Sequence, residues 1–161
     1  MKRILLIIAV LAASLAAGAA FAGETGLFTA CYNIGGQMPG APLFHTSLAV
    51  NTPTESLSGM GRITQAVNPP LDIHTRLRGD FTYMTVMPKN THILIVATGY
   101  PMVHWPSHSG VGPVLPPNVH LRMVLSENWK SGTANYSYQN PAGKWTNIRN
   151  APVQMVGCNS K

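Results

Sequence analysis

Histidines and arginines are the residues whose types and spacing in this sequence best suit chemistry. His74, Arg76 and Arg78 are spaced two residues apart, so in a β-strand their side chains share one face. His120 and Arg122 form a similar pair in another segment. Guanidinium groups bind phosphate, sulfate and carboxylate through paired hydrogen bonds. The spacing predicts a cationic surface for an anionic ligand if these strands are neighbours, and an ordinary solvated sheet face if they are not.

A proline-rich segment from Gly99 to Pro117 holds a second group of candidate side chains, namely His104, Trp105 and His108. Two imidazoles four residues apart are able to chelate Zn²⁺ or Cu²⁺. Structural zinc takes four protein ligands and catalytic zinc three, so folding would have to bring a third ligand. A metal site at His104 and His108 therefore stands against a loop that is anchored by Trp105 and stiffened by prolines. Trp105 is also a candidate ligand-binding residue. No other cofactor is expected.

Side chains for catalysis are scarce. The chain has five Asp and Glu residues, and only Asp72 and Asp80 lie near each other, with nothing that marks them as the paired carboxylates of a glycosidase. The G-x-S-x-G and G-x-x-x-x-G-K-[ST] motifs are both absent. The sequence favours a binding protein over an enzyme, and leaves open a Ser-His-Asp site assembled by folding.

Residues 1–22 have the pattern of a cleavable secretory signal. A basic start, Met1–Arg3, precedes the apolar run Ile4–Leu15, and Ala20–Ala22 forms an A-x-A cleavage site. Residues 12–22, the second half of this segment, are mostly Ala and Gly, too weakly apolar for a transmembrane anchor. We expect cleavage before Gly23, a bacterial protein that is periplasmic or secreted, and no transmembrane anchor in the mature chain.

The charge balance limits the class of partner. The formal net charge is +6, and loss of Lys2 and Arg3 with the signal would leave +4. A mildly basic chain suits anionic partners. Proteins that bind nucleic acids usually cluster Lys and Arg in runs or along a helix, which this sequence does not do. The expected partners are therefore a glycan, a small anion or another envelope protein, and nucleic acid is not expected.

The two cysteines, Cys31 and Cys158, lie near opposite ends of the mature chain. An even count in an oxidising compartment favours a disulfide. We predict a Cys31–Cys158 bridge, with two separate buried thiols as the alternative.

Short segments rich in β-branched and aromatic residues alternate with turn residues along the mature chain. Val119–Ser126 has clear period-two alternation, whereas residues 91–98 are apolar at successive positions and predict a central strand covered on both faces. Arg78–Asp80 is predicted as a turn between two strands. Residues 23–161 are predicted to form one all-β domain, an antiparallel β-sandwich or closed β-barrel of about ten short strands.

A faint internal repeat aligns His45–Met84 with His120–Met155. Ser58-Gly59 matches Ser131-Gly132, Asn68-Pro69 matches Asn140-Pro141, and Arg78 matches Arg149. The alignment predicts two pseudo-repeats, each a small sheet unit. The alternative explanation is chance similarity between β-segments.

These observations lead to three hypotheses about function. The first is an exported, non-catalytic module that binds a glycan or small anionic ligand through the Gly99–Pro117 loop and the adjacent His/Arg face. The second is a structural or protein–protein interaction component of the cell envelope that has no small ligand. The third is a metal-binding protein that uses His104 and His108.

Overall fold

The computed structural model describes residues 26–86, 90–103 and 114–158. Within these ranges the chain forms strands and connecting turns, and no helix there is long and apolar enough to cross a membrane. The predicted signal, residues 1–22, lies outside the described residues. So do His104, Trp105 and His108.

In these described ranges, eight antiparallel strands form one closed barrel. Each strand pairs with the next in the chain, and the last returns to pair with the first. This arrangement confirms the all-β prediction and selects the barrel over the sandwich. The strands are β1 (Leu27–Gly35), β2 (Leu43–Asn51), β3 (Ser56–Gln65), β4 (Leu71–Val86), β5 (Asn90–Pro101), β6 (Val119–Ser126), β7 (Ser131–Gln139) and β8 (Trp145–Val156).

The prediction of about ten strands was wrong because β4 and β8 each run through a point that had suggested a break. Arg78–Asp80, predicted as a turn, lies inside β4. A Cβ added to Gly79 would lie 2.6 Å from the Cα of Ala97 on β5, so this glycine marks a close approach of two backbones and not a chain reversal. In β8, Asn150 has a positive φ of 54° at an irregularity where the strand bends and continues.

Alternate side chains of every strand fill the barrel interior. On β5, Ile93 and Ile95 are fully buried, whereas Val96 is 43% exposed. The prediction that residues 91–98 are covered on both faces was therefore wrong, because a closed barrel has one interior and the outer side of β5 faces solvent. The largest fully buried side chains are Tyr32, Phe44, Ile34, Leu48, Ile63, Leu77, Ile93, Ile95, Leu121, Met123, Leu125 and Val50.

The Cys31–Cys158 disulfide is present, as predicted, and it uses both cysteines of the chain. Cys31 lies on β1 and its partner follows β8 directly. The seam between β1 and β8 is short, since only Cys31–Ile34 pairs with Val153–Val156. This is the shortest strand pairing in the barrel. The disulfide therefore reinforces the pairing that has the fewest backbone hydrogen bonds.

The predicted repeat corresponds to strands β2–β4 and β6–β8, which lie four strands apart in the barrel. The turns that begin the second strand of each unit have the same geometry. Glu55 and Trp129, which are one position apart in the repeat alignment, each end such a turn with a positive φ, of 49° and 62°. The backbone N–H of Glu55 donates to the carbonyl oxygen of Thr52, and the backbone N–H of Trp129 donates to that of Ser126. In both turns the acceptor lies three residues earlier in the chain. The two halves of the barrel thus share local structure as well as a sequence pattern.

Candidate anion-binding site

The pairing register brings the predicted cationic residues of β4 and β6 onto one outer surface of the barrel. The two strands are not direct neighbours, because β5 lies between them. Arg78 is opposite Thr98, and Thr98 is opposite His120, so the three residues form one row across the sheet. The outer strands of such a row are about 9–10 Å apart, close enough for long side chains to converge over the small residue between them.

The next row repeats this arrangement with different chemistry. Val96 lies between Asp80 on β4 and Arg122 on β6, and Arg122 is opposite Asn135 on β7. Val96 and Thr98 therefore form a low ridge along β5, with cationic residues on both sides. Each side of the ridge is a shallow hollow open to solvent.

The hollow on the β6 side of the ridge, which we call the β5–β8 hollow, has a volume of about 540 Å³. Its charged residues are Arg122 and Arg149, both exposed, and no carboxylate lines it. Amide and hydroxyl groups from the outer faces of β7 and β8 also line this hollow. The lining residues are Val96, Ala97, Thr98, His120, Leu121, Arg122, Asn135, Tyr136, Ser137, Asn147, Ile148 and Arg149.

A bulge in β8 sets the place of Arg149. The register between β7 and β8 shifts between Ala134 and Tyr136, which leaves an extra residue on β8 opposite Asn135. Asn150 adopts the left-handed conformation there, and its backbone N–H donates to the Asn135 Oδ1 at 2.8 Å. Bulges of this kind bend a strand and redirect its side chains. The bond from Asn150 to Asn135 therefore holds the segment that carries Arg149 beside the hollow.

An aromatic side chain borders the β5–β8 hollow. Trp145 lies on the same outer face of β8 as Arg149, four residues before it, and it is 39% exposed. Its ring stacks on the imidazole of His120, with centroids 5.1 Å apart and planes inclined by 20°. The stack places a flat apolar ring against a residue that lines the hollow.

The hollow on the β4 side of the ridge, which we call the β3–β5 hollow, has a volume of about 800 Å³. Arg76 and Arg78 of β4 line it, together with Asp80 and the exposed ring of Tyr100. Tyr100 lies directly opposite Arg76 in the register. The carboxylate of Asp80 therefore lowers the net positive charge of this hollow by one. The lining residues are Ser56, Leu57, Ser58, Arg76, Arg78, Gly79, Asp80, Val96, Thr98 and Tyr100.

The arginines of the two hollows have no carboxylate partner among the residues that the structure describes. We call this outer surface of β4–β8, which carries Arg76, Arg78, Arg122 and Arg149, the arginine face. The ion pairs in the described ranges lie outside it and centre on Asp72. These four guanidinium groups, which have no carboxylate partner in the described part of the chain, can bind an external anion.

His74, although predicted for the site, belongs to that separate cluster. Arg62 donates two hydrogen bonds of 2.8 Å to the carboxylate of Asp72, and the His74 Nε2 lies 3.3 Å from the same group. The hydrogen bonds from Arg62 hold the pKa of Asp72 below its usual value. His74 lines neither hollow, because it lies further along β4, beside Asp72.

The other predicted residues divide between the two hollows and the part of the chain outside the described ranges. Arg76 and Arg78 line the β3–β5 hollow, and His120 and Arg122 line the β5–β8 hollow. Trp105, His104 and His108 lie outside the described residues. In the described ranges, no group of three His, Cys, Asp or Glu side chains is arranged to hold a metal ion.

Sequence reasoning did not select Arg149, Asn135 or Tyr100 for this site. Arg149 had one signal, its alignment with Arg78 in the internal repeat. Asn135 had none, because its role depends on a bulge in another strand.

A protein-family model described as "Domain of unknown function (DUF1842)" matches residues 25–145. The matched segment covers strands β1–β7 and ends at the first residue of β8. The search of curated proteins found no match to the chain.

Proposed function

The chain belongs to the family of that domain of unknown function, and we propose that it is an exported, non-catalytic module that binds an anionic glycan or other small anionic ligand on the arginine face. The β5–β8 hollow is the primary site. Arg122 and Arg149 bind the anionic group of the ligand, and His120, Asn135 and Asn147 supply further hydrogen bonds.

One observation supports this proposal above the others: Arg122 and Arg149 face one hollow that no carboxylate lines. Arginine side chains on a protein surface usually have acidic neighbours nearby, as Arg62 has here. Placing two guanidinium groups together without such a neighbour raises the local positive potential, and an anion that binds both relieves that repulsion. An ordinary solvated face does not require this arrangement.

The exposed aromatic rings favour a glycan over an inorganic anion. Trp145 borders the β5–β8 hollow through its stack on His120, and Tyr100 lines the β3–β5 hollow. Aromatic rings pack against the apolar faces of sugars while neighbouring polar groups fix their orientation. Of the residues that line the two hollows, Asp80 is the single carboxylate, which suits binding better than glycosidic hydrolysis by paired acids.

The proposed place of action is the periplasm or the extracellular space. The disulfide links the first strand of the barrel to the segment that follows its last strand, and disulfides persist in oxidising compartments. The signal-like sequence of residues 1–22 supports the same proposal.

Titration calorimetry of the oxidised protein with galacturonic acid and a sulfated monosaccharide tests this function. We expect binding that weakens as salt is added, because the contacts are ionic and exposed. Arg122→Ala and Arg149→Ala are each expected to weaken binding about 10- to 100-fold, since each removes a charge-assisted hydrogen bond.

Lys130→Ala is the matched control, because it removes one exposed positive charge outside both hollows. Equal affinities for Arg122→Ala, Lys130→Ala and the unmodified protein would contradict the proposal. So would equal binding of neutral galactose and galacturonic acid.

A second candidate function, a structural or interaction component of the envelope, is favoured by an open strand edge. β4 and β5 extend beyond the rest of the barrel, and β3 stops pairing with β4 at Asp80. Within the ranges that the structure describes, residues 82–86 of β4 therefore pair on one side only, with β5. Open edges accept another strand. The segment carries no charge, so two copies of the chain can pair there antiparallel around a twofold axis.

Sedimentation equilibrium separates this second function from the first. If the edge mediates assembly, the protein is a concentration-dependent dimer. Thr85→Pro then shifts it to monomer, because proline removes an edge N–H donor, whereas Thr85→Ala keeps that donor and the dimer. A protein that stays monomeric at high concentration would exclude this mode of assembly.

A further inference from the structure

The two hollows of the arginine face are neighbouring parts of one surface. Val96 and Thr98 line both of them, so the ridge of β5 is their common wall. Arg78 lies on one side of Thr98 and His120 on the other, in the same row. A ligand that crosses the strands passes over the side chains of Val96 and Thr98 and meets polar side chains carried by strands about 9–10 Å apart.

The two hollows also have matching chemistry. Each has two arginines without an internal carboxylate partner among the described residues. Each also has an exposed aromatic ring, which lines the β3–β5 hollow in one case and stacks on a lining residue of the β5–β8 hollow in the other. Tyr100 lines the β3–β5 hollow, and Trp145 stacks on His120 at the β5–β8 hollow. Their volumes, about 800 and 540 Å³, each fall within the range of small-molecule sites. A single small anion would use only half of this surface.

We infer that the ligand is an acidic oligosaccharide that lies across the strands and places one acidic sugar in each hollow. This inference rests on the proposed function and extends it from one anionic group to a chain of them. Arg122 and Arg149 bind one acidic group, and Arg76 and Arg78 bind the next along the ligand. The second contact is intramolecular once the first has formed, so affinity rises with ligand length.

Asp80 makes the affinity for an acidic sugar lower in the β3–β5 hollow than in the β5–β8 hollow. It lines the β3–β5 hollow and lies in the row of Arg122, with Val96 between them. Its carboxylate repels the acidic sugar that Arg76 and Arg78 attract, whereas the β5–β8 hollow has no lining carboxylate. The β5–β8 hollow therefore binds first, and the β3–β5 hollow adds the contribution that depends on ligand length.

A length series measured by titration calorimetry tests the inference with galacturonic acid, its dimer and its tetramer as probes. We expect the tetramer to bind at least about tenfold more tightly than the monomer. Arg78→Ala removes most of that gain. Asp80→Asn strengthens binding of the tetramer about three- to tenfold, because it removes a nearby like charge.

Lys130→Ala and Glu127→Gln are the matched controls, since they make the same charge changes outside both hollows. If the monomer binds through Arg122 but the tetramer binds no more tightly, the two-hollow inference is overturned and the proposed function stands. If Asp80→Asn has no effect on the tetramer, the inference is likewise overturned. If none of the three probes binds, both proposals fail together.

Discussion

Loss of the Cys31–Cys158 disulfide is expected to lower the free energy of unfolding by about 4–5 kcal/mol. The bond links residues 127 positions apart, and so long a loop restricts the unfolded chain strongly. Alanine suits the test, since Cys31 is almost completely buried and a serine there would bring a hydroxyl into a closed environment. Urea denaturation of Cys31→Ala/Cys158→Ala, followed by tryptophan fluorescence, measures the change.

The same bond is expected to control the opening of the barrel between β1 and β8. That seam pairs only over Cys31–Ile34 and Val153–Val156, and it closes the barrel. Without the bond, backbone amides of this seam should exchange with solvent faster than those of the long β4–β5 pairing. Reducing agent should destabilise the unmodified protein and leave the double-alanine variant unchanged. A loss of stability below about 1 kcal/mol would contradict this account.

Substitution of the inward-facing glycines is expected to have the second large effect. A Cβ on Gly132 would overlap the carbonyl oxygen of Val124 and lie 2.9 Å from the Cα of Leu125. Gly59, its counterpart in the other half, would overlap the carbonyl of Ser47 in the same way. These neighbours are backbone atoms, which cannot move aside as a flexible side chain does. Gly132→Ala should therefore cost about 3 kcal/mol or more, or prevent folding.

Gly26→Ala is the matched control, because an added Cβ meets no atom within 4 Å there. Its stability should stay within about 0.5 kcal/mol of the unmodified protein. Thermal unfolding of the three proteins provides the measurement. Because the repeat places Gly59 and Gly132 in equivalent environments, Gly59→Ala should be similarly destabilising. A stable, well-folded Gly132→Ala would show that the two strands can separate locally at little cost.

The sequence by itself determined the fold class and the covalent link. Val119–Ser126 alternates apolar and polar residues, and the structure buries that apolar set inside the barrel. The disulfide followed from a count of two cysteines in a chain with an export-like start. Both are local or compositional properties, which a chain shows before it folds. Gly79 misled the prediction because a glycine that permits close backbone approach looks the same in sequence as one that permits a turn.

Only the tertiary structure decided which charged residues form a site. Arg122 and Arg149 lie far apart in the chain, and they meet because β6, β7 and β8 pair in a particular register with one bulge. The alternation of side chains shows which residues face outward, but not which outward residues from different strands lie side by side. Register and the bulge at Asn150 supply that information, because a shift of one residue would turn Arg149 towards the interior.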